Sequence, residues 1–278
     1  MIELFNKSAF ECSKRITELY STSFTLGIKT LSKRFHDPIF GIYGYVRYAD
    51  EIVDTFHHLD KEKTLLQFEE ETYKAIEEKF SMNPVLHSFQ LVVNSYNIEQ
   101  ALIKAFIKSM RMDIYSSNHN IDSYDEYIYG SAEVVGLMCL RVFCEGNDKQ
   151  YNELKPSAMS LGSAFQKVNF LRDLKSDYED RGRVYFPEVD FNQFTKNEKW
   201  KIEKDIEKDF DHALTGILNL PDGARAGVYL AYLYYRKLFN KIKKCPPHLI
   251  LENRVRIPNF TKLVLLGSTY FKYQLRVI

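Results

Sequence analysis

Two aspartates, Asp50 and Asp54, interrupt the apolar, aromatic run YGYVRYADEIVDTF at residues 43–56. Tyr43, Arg47, Asp50 and Asp54 recur at steps of 4, 3 and 4. In SLGSAFQKVNFLRDLKSDYEDRGRVYF, residues 160–186, Gln166, Asn169, Asp173 and Asp177 recur at steps of 3, 4 and 4. Both spacings trace one face of an α-helix, where neighbours lie ~5–6 Å apart. Burying a carboxylate without a partner costs several kcal/mol, so something must offset that cost. One D-x-x-x-D alone reads as a solvated helix edge. Two such stripes, each embedded in apolar sequence with an arginine alongside (Arg47, Arg172), do not. A salt-bridge network between two helices is the structural alternative, and Gln166 and Asn169 would add little to it.

Oxygen ligands at this spacing suit Mg²⁺, with Mn²⁺ as the alternative. Mg²⁺ binds through one or two carboxylates plus the phosphate oxygens of a substrate. Two facing carboxylate pairs therefore predict several ions that together hold a diphosphate. Arg47, Arg172, Arg181 and Arg183 are the candidates for the diphosphate oxygens left free by the metal. The aspartates can then sit in apolar surroundings because metal and diphosphate complete the charge balance.

The elements that position these residues read as helices almost throughout. Apolar residues recur at three and four positions, and strict alternation is scarce. Asp37–Pro38 and Asn83–Pro84 each predict a capped helix start. SSNHNIDSYDEY predicts a polar loop and a new start, and EGNDKQYNELKP a separator before a helix beginning near Pro156. LNLPDGA and KCPPH punctuate the last third, and DRGRVYFPEVDF is the main irregular segment. Roughly ten helices in one all-α domain, residues 1–278, are expected.

Composition excludes several classes. Net charge is +1 with acids and bases interspersed, so no basic face points to nucleic acid. The 20 Phe and 19 Tyr against one Trp suit an aromatic-lined pocket as well as a helical core. Cys12, Cys139, Cys144 and Cys245 form no metal-finger spacing and read as reduced thiols. The seven histidines form no HExxH motif, and His57–His58 reads as a solvated helix end. The N-terminus breaks its apolar residues with charges, unlike a signal peptide. No window reaches the ~18 uninterrupted apolar residues of a membrane span. The expected location is cytoplasmic, with peripheral contact at the inner face of the cytoplasmic membrane.

The segments RYADEIVD and FQKVNFLRDLKSDYEDRGRVYFP resemble the two aspartate-rich signatures of the squalene and phytoene synthases, the head-to-head prenyltransferases. YSTSFTLGI is similar to the family's early Ser-x-Ser-Phe segment, which implies Ser21, Ser23 and Phe24 near a diphosphate. SMRMDIYSSN and YDEYIYGSAEVVG match the middle signature, implying Tyr127, Ala132 and Gly136 in the pocket wall. YYRKLFNKI and RVRIPNFTKL resemble the C-terminal part, with Tyr235 facing the cavity. Departures are Glu51 for a frequent second Asp, Glu133 for a frequent Gly, and Ser176 for a frequent acid.

The resemblance implies an isoprenoid-synthase helical fold with a central cavity between two aspartate-rich helices. It implies Asp50, Asp54, Asn169, Asp173 and Asp177 as metal ligands, and Arg172, Tyr127 and Tyr185 in catalysis. Gln166, Arg47 and Arg183 are implied on the substrate side. The implied reaction has two steps. One prenyl diphosphate loses pyrophosphate, and the second molecule's double bond traps the allylic cation as a cyclopropylcarbinyl diphosphate. That intermediate then ionises, rearranges and is quenched. Aromatic faces stabilise cations, and Phe24, Tyr43, Tyr127, Tyr185 and Tyr235 are the candidates.

No Gly-rich dinucleotide fingerprint or C-terminal anchor is present, so NADPH is not expected and the reaction ends by proton loss. The RGRVYFP and RVRIPNFTKL segments look most like phytoene synthases. The expected substrate is therefore geranylgeranyl diphosphate and the product phytoene, a carotenoid precursor. Farnesyl diphosphate giving squalene, dehydrosqualene or hydroxysqualene is the alternative. Head-to-tail prenyltransferases and terpene cyclases usually show DDxxD or NSE triads, which are absent. A non-catalytic assembly factor would have no need to keep both acidic stripes.

Overall fold

Apolar residues at helical spacing produce twelve α-helices and no β-strand among the residues described. The computed structural model describes residues 1–115, 119–187, 189, 194–252, 254–258, 261, 264–267 and 269. In chain order the helices are α1 (Ile2–Tyr20), α2 (Thr22–Lys29), α3 (Lys33–Asp54), α4 (Lys61–Glu78), α5 (Pro84–Tyr96) and α6 (Gln100–Tyr115). They continue with α7 (Ile121–Ile128), α8 (Val134–Cys144), α9 (Asp148–Arg181), α10 (Lys196–Leu218), α11 (Arg225–Lys244) and α12 (Pro247–Glu252). A π-helical turn, Tyr129–Glu133, joins α7 to α8.

Local chemistry explains the boundaries. The Asn83 side chain accepts from Val85 N at 3.0 Å and Pro84 takes the first helical position of α5, as expected. Asn120 caps α7 by accepting from Ser123 N at 2.8 Å, also as expected. Two prolines depart from expectation. Pro38 lies inside α3, which already begins at Lys33, and Pro156 lies inside α9, which begins at Asp148 behind the Asn147 cap. Both lie beyond the first turn, so each forfeits one i→i−4 backbone bond. In α3, burial of Phe35, Ile39 and Phe40 on either side of Pro38 outweighs that loss. The two helices that carry the acidic stripes are consequently longer than the sequence punctuation implies.

Two apolar cores result. One is built by α3 to α6 and α8 around Tyr45, Phe89 and Phe106, with Tyr45 stacked on Phe89 at 3.8 Å between ring centres. The other lies among α9, α10 and α11 around Phe170, Phe210 and Phe239. The run Ile121–Cys144 is long and apolar enough by composition to cross a membrane, and its best window is 67% buried inside the molecule. Its burial identifies it as a core element.

At the end of α9, Gly182 adopts φ +66°, a left-handed cap open to glycine without strain. Arg183 N bonds back to Asp177 O at 2.8 Å. The chain reverses there and carries Arg183 and Tyr185 back against the acidic end of α9. Of the irregular segment that follows, Glu188, Asp190 and Phe191 lie outside the described residues.

Candidate active site

Helices α2, α3, α8, α9, α10 and α11 enclose a cavity of about 550 Å³. One end is polar, formed by Arg47 and Asp50 of α3 with Gln166, Asn169 and Arg172 of α9. Ser21 and Ser23 flank this end, and Ser21 caps α2 by accepting from Phe24 N at 3.2 Å. The remaining wall is mostly apolar or aromatic and includes Phe24, Tyr43, Tyr127, Ala132, Gly136 and Tyr235. Phe24 and Tyr43 lie 4.7 Å apart between ring centres. Tyr235 stacks on Phe165 at 3.9 Å and donates its hydroxyl to Asn169 Oδ1 at 3.2 Å. Gln166 donates to Ser131 Oγ at 3.2 Å, tying α9 to the π-helical turn.

The two acidic stripes approach each other through arginine. Arg181 reaches Asp54 at 3.5 Å and donates to Asp177 at 2.7 Å, so one guanidinium spans both helices. Arg183 donates to Asp54 at 2.9 Å and to the Asp113 carbonyl at 2.7 Å. Asp173 accepts from Arg172 Nε at 3.0 and 3.1 Å and lies 2.6 Å from Arg254. Arg47 pairs with Glu51 and lies 3.7 Å from Asp50, with its guanidinium over the Tyr20 ring. Glu51, standing where a second Asp is frequent, thus holds the arginine of its own stripe.

Six of the residues singled out by sequence do not line the main cavity, Arg181 among them because it spans Asp54 and Asp177. Asp54, Asp173 and Asp177 lie beyond its polar end, engaged by arginines. Arg183 and Tyr185 line a separate small void with Asp177. Tyr185 therefore does not present its ring to the cavity. The turn at Gly182 folds it into the second core, where it stacks on Phe170 at 4.2 Å. Ser116–Asn118, Asn259, Phe260, Lys262 and Leu263, which belong to the segments carrying the resemblance, lie outside the described residues.

Sequence reasoning passed over Asp113 and Arg254. Asp113 is buried and accepts from Tyr127 at 2.8 Å and Tyr185 at 3.1 Å. The signal was present: a carboxylate inside the apolar run MRMDIY, of the same kind that marks Asp50. Arg254 lines the polar end of the cavity from a segment with no helical pattern to place it.

Electrostatics bear on whether a divalent cation fits here. Burial pushes the Asp50 carboxyl up to about 7, with Arg47 opposing and Asp54 adding to the rise. Asp50 keeps about a third of its side-chain surface, and it is a lining residue, so that surface faces the cavity. Burial likewise pushes Asp177 up to about 7, with Asp173 adding and Arg181 opposing. Asp113 is pushed up to about 6 by burial, against Arg183 and the bond from Tyr127. Burial raises the phenols of Tyr43, Tyr127 and Tyr235, so they stay protonated donors. Among the described residues no three His, Cys, Asp or Glu side chains converge on one point. Instead, each of α3 and α9 carries carboxylates one helical turn apart, Arg181 links Asp54 to Asp177 across the two helices, and burial disfavours the unmetalled charge on Asp50 and Asp177. Such donors fit a hard dication that takes its other ligands from phosphate and water.

The sequence profile of the squalene/phytoene synthase family matches residues 17–261. Phytoene synthase of Arthrospira platensis is 26% identical over 284 residues, covering 93% of this chain and 91% of that protein. The 15-cis-phytoene synthase of a Synechocystis species is 26% identical over 295 residues, covering 96% and 86%. Among solved structures, a dehydrosqualene synthase in complex with ligand shares the fold, with TM-score 0.84, 23% identity and 98% of each chain covered. A squalene synthase from Alicyclobacillus acidocaldarius shares it with TM-score 0.76 and 18% identity, over 88% and 95% of the two chains. The profile spans most of the length, acidic stripes included, and the chain belongs to the squalene/phytoene synthase family.

Proposed function

We propose that the protein, acting as one domain, joins two geranylgeranyl diphosphates head to head into phytoene. The observation that carries the reading is the cavity itself: apolar over most of its wall and closed at one end by Arg47, Asp50, Asn169 and Arg172. A molecule with a long hydrocarbon tail and a diphosphate head has that same polarity, and its similarity to phytoene synthases supports the C20 tail.

In the first step the C1–O bond of one substrate breaks, releasing pyrophosphate and an allylic cation. The C2–C3 double bond of the second substrate attacks that cation, and loss of one proton closes a cyclopropane. In the second step the cyclopropylcarbinyl diphosphate loses its own pyrophosphate, rearranges, and sheds a second proton to form the central double bond. Two molecules thus give one C40 hydrocarbon, two pyrophosphates and two protons.

Asp50, Asp54, Asn169, Asp173 and Asp177 are the residues we assign to Mg²⁺. When bound, the metal supplies Lewis-acid charge at the leaving group. The chain's own residues do the rest. Arg47, Arg172, Arg181 and Arg183 exchange a carboxylate partner for diphosphate oxygens, to which they can donate bidentately. Ser21 and Ser23 hold the head at the cavity end. Phe24, Tyr43 and Tyr235 keep water from the cation and offer it their ring faces. Tyr127, fixed by its bond to Asp113, presents a protonated phenol to the same space. A hydrocarbon product leaves most favourably into lipid, so we place the working protein at a cytoplasmic membrane surface.

Purified protein incubated separately with farnesyl and geranylgeranyl diphosphate plus Mg²⁺ tests the reading by mass spectrometry of the hydrocarbon. Phytoene from the C20 substrate is expected. A C30 product only would reassign the substrate, and a prenyl alcohol only would end the head-to-head reading.

A further inference from the structure

The side of α10 that faces α9 and α11 changes in size along its length. Ile206 and Phe210 are fully buried and fill the second core. One turn on, Ala213 and Gly216 line the cavity with almost no side chain, and Ile217 and Leu220 close it again. The result is a recess about one helical turn wide, between Phe210 on one side and Ile217 on the other. Phe165, stacked on Tyr235, forms the shelf above it. Opposite stands Ser157 of α9, which also lines the cavity.

Helix packing explains Gly216 without reference to any ligand, because a Cβ there would come 2.3 Å from Ser157 Cβ. The Ser157 hydroxyl is likewise occupied, lying 3.4 Å from His212 Nε2 and 3.3 Å from Thr215 Oγ1. Ala213 has no such duty. It is fully buried, carries one methyl group, and borders empty volume where a larger apolar side chain would otherwise fill the core.

Distance decides what the recess is for. Ser157 packs on Gly216 and lies twelve residues before Asn169 on α9, about 18 Å from the polar end at 1.5 Å per residue. Ala213 stands one turn, about 4.5 Å, nearer that end because α10 runs antiparallel to α9. Ordinary bond lengths and angles advance an extended chain ~3.3–3.6 Å per three bonds, so a four-bond isoprene unit spans about 5 Å. Three units, about 15 Å, end beside Ala213, and a fourth must pass it into the space before Gly216 and Ile217. We propose that the recess opened by Ala213 receives the terminal isoprene unit of a C20 tail, making Ala213 a determinant of chain length. The inference rests on the prenyl diphosphate reading above and adds the position at which C20 and C15 tails are told apart.

The test uses the full chain with Mg²⁺ and compares Ala213→Leu, Ala213→Val and Ile217→Ala with wild type. The readouts are kcat/KM for the C20 and C15 diphosphates, and calorimetric affinities for unreactive thiolodiphosphate analogues of both lengths. Filling the recess by two or three carbons lowers the C20-to-C15 ratio by about tenfold or more, in line with the discrimination of hydrophobic pockets. Ile217→Ala enlarges the recess and shifts the ratio the opposite way. Circular dichroism checks each fold, and Ile217→Ala remains informative where the larger side chains are not accommodated. Unchanged ratios in folded variants overturn the inference. Wild type that binds both analogues without condensing either substrate defeats the reaction reading instead, and the affinity ratio still judges the recess. Failure to bind either analogue overturns both.

Discussion

Asp50 is only partly compensated, with Arg47 at 3.7 Å and Asp54 one turn away. Replacing it with alanine removes a proposed metal ligand without leaving a buried charge behind. Turnover of Asp50→Ala should fall by about 10²-fold or more, the scale of losing one electrostatic contact to a leaving group. Its melting temperature should stay within a few degrees of wild type, and a large loss of stability would instead mark a structural role. Arg183 shows the opposite balance. It is buried and holds Asp54, Asp113 and Tyr185 together. Arg183→Ala strands Asp113, and chemical denaturation should report a loss of about 3–5 kcal/mol, as for a broken buried ion pair. His87 gives a pH signature away from the site. Its Nδ1 accepts from Ser81 N at 3.2 Å and its Nε2 lies 2.8 Å from Asn6 Oδ1, so the ring is held neutral. Burial lowers its pKa. The unfolded chain therefore takes up a proton first as pH falls below about 6.5, and this residue's contribution to stability declines from there downward. Denaturation at pH 7 and 5.5 should show that decline, and His87→Asn should flatten it.

At the scale of elements, α9 and α10 meet closely at Ser157 and Gly216. Gly216→Ala forces these helices apart or displaces the serine, and should cost about 1–3 kcal/mol in thermal or chemical unfolding. Much of this level was legible in the sequence. Helical periodicity, the Asn83–Pro84 start and the two acidic stripes all follow from local chemistry. The early starts of α3 and α9 were not legible, because Pro38 and Pro156 look like boundaries until the burial around them is known. The same holds for Tyr185: its spacing places it beside the acidic stripe, and only the left-handed turn at Gly182 turns its ring into the second core. Asp113 was readable by the argument that found Asp50. Arg254 was not, because its approach to Asp173 joins residues 81 positions apart through irregular chain.

At the scale of the molecule, the cavity joins a charged end to an apolar interior, and the reaction's product lacks any charge. Burial of hydrocarbon is favourable by roughly 0.8 kcal/mol per CH₂, so a C40 product released to water would leave slowly. Adding lipid vesicles should raise steady-state turnover while leaving the first-turnover release of pyrophosphate unchanged, as followed by rapid quench. The account stands on α3 and α9 acting as one site. A double-mutant cycle with Asp50→Asn and Asp173→Asn measures this most directly, read as Mg²⁺-dependent affinity for an unreactive prenyl thiolodiphosphate. If the two stripes grip the same metal–diphosphate unit, each single variant loses nearly as much affinity as the double. Losses that simply add, or affinity that persists in the double variant, would contradict it.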